Sequence, residues 1–294
     1  MQKKNIKISL AVAAVVVLAF WAYPALGRER LVPAQYATIQ AAIDAAVTGD
    51  MVIVAEGTYN ERINFKGKNI TLTSTNPDDP VVVANTVIHG SYDGTVVTFA
   101  GGESTSTHLA GFTITGGNGV TKGGGILGNN TDTHPTIRQC VITDNYVSSA
   151  GGGIWGCGGE ISRCIFYNNS ATSSGYGGAI AACHGSIVNC LIYNNRAGYG
   201  GAINNCDGYI VNCTITQNTV NSKGALNQCD GTIMNCIVWG NSKDTFNDHT
   251  GTITYCCWPS GTTGTGNINI NPAFVSSTNF HLANGSPCID TGTN

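Results

Sequence analysis

The sequence has few charged side chains: Asp, Glu, Lys and Arg make up 11% of its 294 residues. Three of its 14 basic residues are Lys3, Lys4 and Lys7, which leaves 11 basic against 17 acidic residues in the rest of the chain. This mildly acidic balance provides no basic patch for the phosphates of a nucleic acid. Nucleic-acid binding is therefore excluded as the function.

Charge is absent from a run near the N-terminus. Residues 8–26 carry no charged side chain, and small residues stand at Ala25 and Gly27. A basic start, an apolar stretch and a small-residue end are typical of a secretory signal peptide, which we predict at residues 1–27. An uncleaved membrane anchor is the alternative, because the run approaches spanning length. No cysteine lies nearby to carry a lipid, so we expect a secreted protein without membrane attachment after cleavage.

Proline is also scarce, with 8 residues against 39 glycines, and 42% of the residues are hydrophobic. The hydrophobic residues recur regularly, which excludes disorder. Glycine and asparagine tolerate left-handed backbone, and β-branched residues favour strands. The composition therefore predicts many short strands joined by turns.

A repeat organises the second half of the chain. Cys183, Cys206 and Cys229 are 23 residues apart, and Cys190, Cys213 and Cys236 keep the same interval. Fixed periods of this length indicate repeat architectures. Four apolar columns follow the repeat: Ile126, Ile154, Ile180, Ile203, Leu226 and Phe246; Ile137, Ile161, Ile187, Ile210, Ile233 and Ile253; Cys140, Cys164, Cys190, Cys213, Cys236 and Cys256; Ile142, Phe166, Ile192, Ile215, Val238 and Trp258.

The spacing within one repeat predicts strands separated by bends. Paired glycines and Asp-Gly turns disfavour a helix. Coils of such strands stack in parallel about 4.8 Å apart, with equivalent side chains above one another. The prediction is an all-β fold, a β-solenoid. A leucine-rich repeat is the alternative, because "IVNCTITQN" fits its skeleton, but "GGAINNC" does not supply that repeat's other half.

Both ends of the mature chain carry a resemblance. "YATIQAAIDAAVTGDMVIVAEGTYNERINFKGKNITLTS" and "INPAFVSSTNFHLANGSPCIDTG" resemble the pectate-lyase-like right-handed parallel β-helix superfamily. Thr38 is predicted to cap a helix with Ile39, Ala42, Ile43 and Ala46 on one face, and that helix should cover the first open end of the solenoid. The predicted organisation is one domain at 28–294, with an N-terminal cap at 28–66, coils at 67–270 and a closing segment at 271–294. "GGAI" and "FYNNSA" bear a weaker likeness to polymorphic outer-membrane adhesin repeats, although no membrane-barrel domain follows.

Four pairs of cysteines, each seven residues apart, allow three interpretations. The pairs are Cys157/Cys164, Cys183/Cys190, Cys206/Cys213 and Cys229/Cys236. Zinc sites space their cysteines more closely, so we expect no metal and no cofactor. Buried thiols packed as small hydrophobic side chains are one remaining interpretation. Disulfides are the other, because export leads to an oxidising compartment and the 12 cysteines are even in number. The cysteine columns are therefore predicted to lie in the core, and the sequence does not decide whether their cysteines are free thiols or disulfides.

The candidate binding surface lies outward on the strands that begin after the third column. The resemblance implies a polysaccharide groove on this face, but the outward positions carry none of the charged residues that uronate lyases, pectin methylesterases or polygalacturonases need. Tyr167, Tyr193 and Trp239 instead share one outward column, with Thr216 between them. Aromatic faces in such a column can support sugar rings. A loop or partner chain over the same column is the alternative, since exposed apolar patches indicate contacts.

The other polar candidates are weaker. His184, Asp207 and Asp230 share a column near His249, and the first three precede glycine, as turn residues do. Asp144, Arg138 and Arg163 are the best remnant of a lyase site. An asparagine column, predicted to be a hydrogen-bonded ladder at a corner, contains Asn169, Asn195, Asn218 and Asn241.

The predicted function is binding of extracellular polysaccharide or a cell-surface glycan through Tyr167, Tyr193, Thr216 and Trp239. A polysaccharide lyase or hydrolase is the first alternative, and an adhesin or structural surface protein is the second. Clustered carboxylates beside a basic residue would favour the enzyme. Contact of the aromatic column with another chain would favour the adhesin.

Overall fold

The structure is a computed structural model that describes residues 27–99, 101–129, 132–243, 246–259 and 263–292. The predicted signal peptide lies outside the described residues, except for Gly27. Within the described ranges, no helix has both the length and the apolar character needed to span a membrane.

The chain winds into a right-handed parallel β-solenoid of about nine turns. Most turns contribute strands to three long sheets, which we name A, B and C, and five turns also contribute to a shorter sheet D. Neighbouring strands within each sheet pair in parallel. The predicted fold class is confirmed. The leucine-rich alternative is wrong, because the glycine-rich half of each repeat forms strands of sheet C.

The strands are short, as the turn-rich composition predicts. Sheet A contains Glu29–Val32, Met51–Val54, Thr71–Ser74, His108–Ala110, Thr136–Arg138, Ile161–Ser162, Ile187–Val188, Tyr209–Val211, Thr232–Met234 and Thr252–Thr254. Sheet B contains Gly57–Tyr59, Thr86–His89, Thr113–Thr115, Val141–Thr143, Ile165–Tyr167, Leu191–Tyr193, Thr214–Thr216 and Ile237–Trp239. Sheet C contains Ile63–Asn64, Val97–Thr98, Ile126–Leu127, Ile154–Trp155, Ile180–Ala181, Ile203–Asn204, Leu226–Asn227 and Phe246–Asn247. Sheet D contains Val120–Lys122, Tyr146–Ala150, Ser170–Ala171, Arg196–Tyr199 and Thr219–Lys223.

Two short helices interrupt the early coils, at Ile39–Ala45 and Pro80–Asn85. Thr38 is the N-cap of the first, because its hydroxyl accepts the N–H of Ala41 at 3.1 Å, and the predicted apolar face is buried. Sheet A already begins at Glu29–Val32, inside the segment predicted as a cap. That the first helix closes the end of the solenoid stays a prediction.

The predicted columns are the core. Strand register places Ile187 beside Ile210 and Ile210 beside Ile233 in sheet A, and Ile180 beside Ile203 in sheet C. Their side chains are at most 1% exposed. The cysteine column from Cys140 to Cys256 is buried in the same core, and so is a second column formed by Cys157, Cys183, Cys206 and Cys229. The register deduced from the repeat is therefore confirmed.

The asparagine ladder is confirmed at the corner that follows sheet B. The side-chain amide of Asn195 donates to the side-chain oxygen of Asn218 at 3.0 Å, and Asn169 donates to Asn195 at 3.0 Å. Asn145 extends the ladder by one coil. Each of these amides also donates to a main-chain carbonyl, so the ladder satisfies backbone groups that the corner would leave unpaired.

Candidate functional site

The aromatic column is placed by the register of sheet B. Tyr167 pairs with Tyr193, Tyr193 with Thr216, and Thr216 with Trp239, as the repeat predicts. Tyr167, Tyr193 and Trp239 are half-buried, whereas Thr216 is only 2% exposed. The three aromatic side chains thus offer surface to a ligand, and Thr216 mainly spaces them.

Tyr167 and Tyr193 stack on each other. Their ring centroids are 5.3 Å apart with planes 15° apart, which is an offset stack. Each ring therefore covers part of one face of the other. Burial, with a smaller effect from Tyr167, raises the pKa of Tyr193, so its hydroxyl stays neutral at physiological pH.

Two parts of the same chain lie over the ends of sheet B. At the early end, the carbonyl of Val83 in the second helix accepts the hydroxyl of Thr113 at 3.0 Å. At the late end, the closing segment places Phe280 against Tyr193, with ring centroids 5.1 Å apart. The loop contact that was the alternative to a sugar thus exists at Tyr193, which Phe280 partly covers.

A groove of about 280 Å³ separates the closing segment from sheet B. Its lining has no Asp, Glu, Lys or Arg, and it combines apolar and amide side chains with one imidazole: Asn189, Cys190, Leu191, Asn212, Thr214, Phe280 and His281. The side-chain amide of Gln217 fixes the segment above the sheet by donating to the carbonyl of Ser277 at 2.8 Å. Such a groove suits a neutral ligand with many hydroxyl groups.

A second aromatic stack was missed by the sequence reasoning. Tyr176 and Tyr199, on consecutive coils, have ring centroids 5.0 Å apart and planes 18° apart, and Tyr176 is 42% exposed. Across the two coils before Tyr176, the ammonium of Lys122 lies 4.3 Å from the ring centroid of Trp155 on the next coil. The signal was present, because "YGGAI" occurs at both tyrosines in repeat register.

The column of His184, Asp207 and Asp230 stabilises the turns in which these residues lie. Asp207 accepts the backbone N–H of Asp230 at 3.1 Å, and Asp230 accepts that of Thr250 at 2.7 Å. His184 Nδ1 lies 3.3 Å from a carboxylate oxygen of Asp207. His249 contacts the carbonyl of Cys229. Each carboxylate therefore links one coil to the next.

The three residues considered as a lyase remnant do not share one site. Asp144 accepts the hydroxyl of Thr143 at 2.7 Å, at the corner after sheet B. Arg138 and Arg163 instead line a pocket of about 330 Å³ with Glu160, at the opposite edge. The sequence analysis did not identify Glu160. Glu160 comes directly before the inward Ile161, just as Thr136 comes directly before the inward Ile137, so strand alternation predicts that its side chain faces outward.

His108 lies on the same outer face of sheet A as this pocket. It stands two positions before Ala110, which pairs with Arg138 on the neighbouring strand. Burial, and secondly the positive charge of Arg138, lowers the pKa of His108. The imidazole is therefore neutral at pH 7. Among the residues described by the structure, no group of three or more His, Cys, Asp or Glu is arranged to hold a metal.

Comparisons with known proteins find similarity in structure. The chain is similar to pectin methylesterase from Aspergillus niger in a penultimately deglycosylated form, with 15% identity, 84% of each chain covered and a TM-score of 0.45. A deglycosylated form of that enzyme gives 14% identity, covers 88% of this chain and 95% of the other, and has a TM-score of 0.47. Pectate lyase Pel9A gives 13% identity, coverage of 87% and 86%, and a TM-score of 0.43.

No protein-family model and no curated protein matches the sequence. The solved structures named above are parallel β-helix proteins, and the likeness at these identities concerns the fold alone.

Proposed function

We propose that this protein is secreted and binds an extended extracellular polysaccharide along one face of the solenoid. The observation that carries the proposal is the half-buried aromatic column Tyr167, Tyr193 and Trp239, in register on sheet B beside an uncharged groove. Thr216 lies between Tyr193 and Trp239 as a buried spacer.

The spacing of the column sets the shape of the ligand. Neighbouring coils are about 4.8 Å apart, close to one sugar residue, and Trp239 lies two coils beyond Tyr193. A polymer that reaches both ends of the column must therefore lie along the solenoid axis. Amide side chains of Asn189 and Asn212 line the groove and can bond hydroxyl groups. Long oligosaccharides should bind more tightly than short ones.

Replacing Trp239 by alanine should weaken binding of a long oligosaccharide by about 5- to 150-fold, because aromatic stacking on bases, taken as an analogy, contributes roughly 1 to 3 kcal/mol. The melting temperature should change little, since the side chain is half-buried on the outside. Calorimetry with a ligand found on a glycan array would measure the binding change.

Tyr209→Ala is the matched control, because Tyr209 is 60% exposed and lies on sheet A, whereas the column lies on sheet B. It should leave affinity unchanged. Tyr176→Ala tests the second aromatic stack. If only that variant loses affinity, binding occurs at the corner before sheet C and the sheet B proposal is wrong. If no glycan binds but Trp239→Ala changes self-association, the adhesin alternative replaces the proposal.

The pocket at Arg138, Glu160 and Arg163 supports a second candidate, a uronate lyase. It combines a carboxylate with two arginines, one of which would have to remove the sugar proton. Under the binding proposal, incubation with polyuronates should give no increase in ultraviolet absorbance from unsaturated products. An increase that Arg163→Ala abolishes and Trp239→Ala preserves would establish the enzyme instead.

A further inference from the structure

Ten of the twelve cysteines lie in the hydrophobic core. They form two columns in which each coil contacts the next: Cys157, Cys183, Cys206 and Cys229; Cys140, Cys164, Cys190, Cys213, Cys236 and Cys256. The backbone N–H of Cys183 donates to the sulfur of Cys206 at 3.3 Å, and that of Cys213 to Cys236 at 3.5 Å. Their thiols donate to main-chain carbonyls, as in Cys190 to Val188 at 3.4 Å. These cysteines act as small packing residues.

Cys257 and Cys288 belong to neither column. Cys257 pairs with Ile237 through an isolated parallel bridge, which places it in the outward column of sheet B rather than in the core. Cys288 lies in the closing segment, 31 positions later, and meets Cys257 across a cavity of about 90 Å³ that both residues line. Each thiol shifts the pKa of the other, upward for Cys257 and downward for Cys288, because the two side chains lie close together. The fold therefore brings together the two cysteines that the repeat leaves over.

Among the described residues, few other contacts join the closing segment to the coils. Within residues 271–292, the strand-like pairing is one isolated bridge between Phe274 and Leu282. Phe280 contacts Tyr193, and the carbonyl of Ser277 accepts the Gln217 amide. A segment held by so few contacts opens easily unless a covalent bond fixes it.

We propose that Cys257 and Cys288 form a disulfide that fastens the closing segment over sheet B. It would close a loop of about 30 residues, and disulfides across loops of this length stabilise the ordered state. Because Phe280 of the same segment lies against Tyr193, the bond would also hold the wall of the groove in place.

The reaction needs an external disulfide as the oxidant. Cys288 is the more exposed partner, and the neighbouring Cys257 thiol lowers its pKa, so the Cys288 thiolate attacks first. A mixed disulfide forms and one oxidant thiolate leaves. Cys257 then loses its proton to solvent, attacks Cys288 and releases the second oxidant thiolate. Two protein thiols are oxidised, and one oxidant disulfide is reduced to two thiols.

The test uses the full chain, purified in reduced form and incubated with glutathione disulfide. Thiol titration in denaturant should fall from 12 to 10. Peptide mapping without reductant should recover one cross-linked pair that contains Cys257 and Cys288. Chymotrypsin should cut after Phe274 and Phe280 at least 10-fold more slowly in the oxidised protein than in the reduced protein.

Two variants separate this bond from general oxidation. Cys288→Ser should keep 11 thiols before and after oxidation and should cleave at the fast rate. Cys229→Ser, which removes a column cysteine, should still lose two thiols. The proposal is overturned if 12 thiols remain after oxidation of folded wild type, or if mapping joins Cys257 to Cys236 or Cys256. These results do not depend on polysaccharide binding, so either proposal can fail without the other.

Discussion

Replacing Ile210 by aspartate should prevent folding. Ile210 is 1% exposed and lies between Ile187 and Ile233 in the inward column of sheet A. A carboxylate there would face hydrophobic side chains on the coils before and after it, without a partner. Burial of an unpaired charge costs many kcal/mol, more than the whole stability of most domains. The measurements are soluble yield and a cooperative thermal transition followed by circular dichroism.

Tyr209→Asp supplies the matched control on the same strand. Tyr209 points outward and is 60% exposed, so a carboxylate at this position stays in water. This variant should fold and melt close to the wild-type temperature. A soluble, cooperatively melting Ile210→Asp protein would show that the register of sheet A is displaced by one residue.

The second large effect is expected at the asparagine ladder. The Asn195 amide donates to the carbonyls of Phe166 and Tyr193 at 3.0 and 2.9 Å and to the side-chain oxygen of Asn218 at 3.0 Å. Its oxygen accepts the backbone N–H and the amide of Asn169, both at 3.0 Å. Asn195→Ala leaves several buried groups without partners, and each costs about 1 to 3 kcal/mol. Unfolding in urea should therefore show a loss on the order of 3 to 5 kcal/mol.

The effect should depend on burial rather than on residue type. Asn221 is exposed, and its amide donates once, to the carbonyl of Ser173 at 3.3 Å. Asn221→Ala should change the free energy of unfolding by less than about 1 kcal/mol. Equal losses in the two variants would indicate that the ladder adds nothing beyond an ordinary surface hydrogen bond.

The repeat predicted the coils because each apolar position occurs again one coil later. That periodicity placed Ile210, Cys213 and Asn218 in their columns, and the structure confirms all three. It also placed Tyr167 and Trp239 outward on sheet B.

The segments outside the repeat could not be predicted in the same way. The helix Pro80–Asn85 and the residues from 271 onward have no equivalent in other coils, so no column gives their register. Their position over sheet B decides how much of Tyr193 a ligand can reach. The meeting of Cys257 with Cys288 depends on the same unrepeated segment. The pocket at Glu160 was not predicted for a different reason, since Glu160 directly precedes a strand of sheet A and the resemblance implies a groove on sheet B.

The equal length of the coils marked by Cys183, Cys206 and Cys229 has a consequence for the gene. Coding repeats of one length allow unequal recombination, and a crossover between them would remove or add 23 codons in frame. Every column would close again in register, because the strands of each coil pair only with those of its two neighbours. Such an exchange would change the length of the solenoid by about 4.8 Å and leave its cross-section unchanged. Related genes are therefore expected to differ by whole coils in this region.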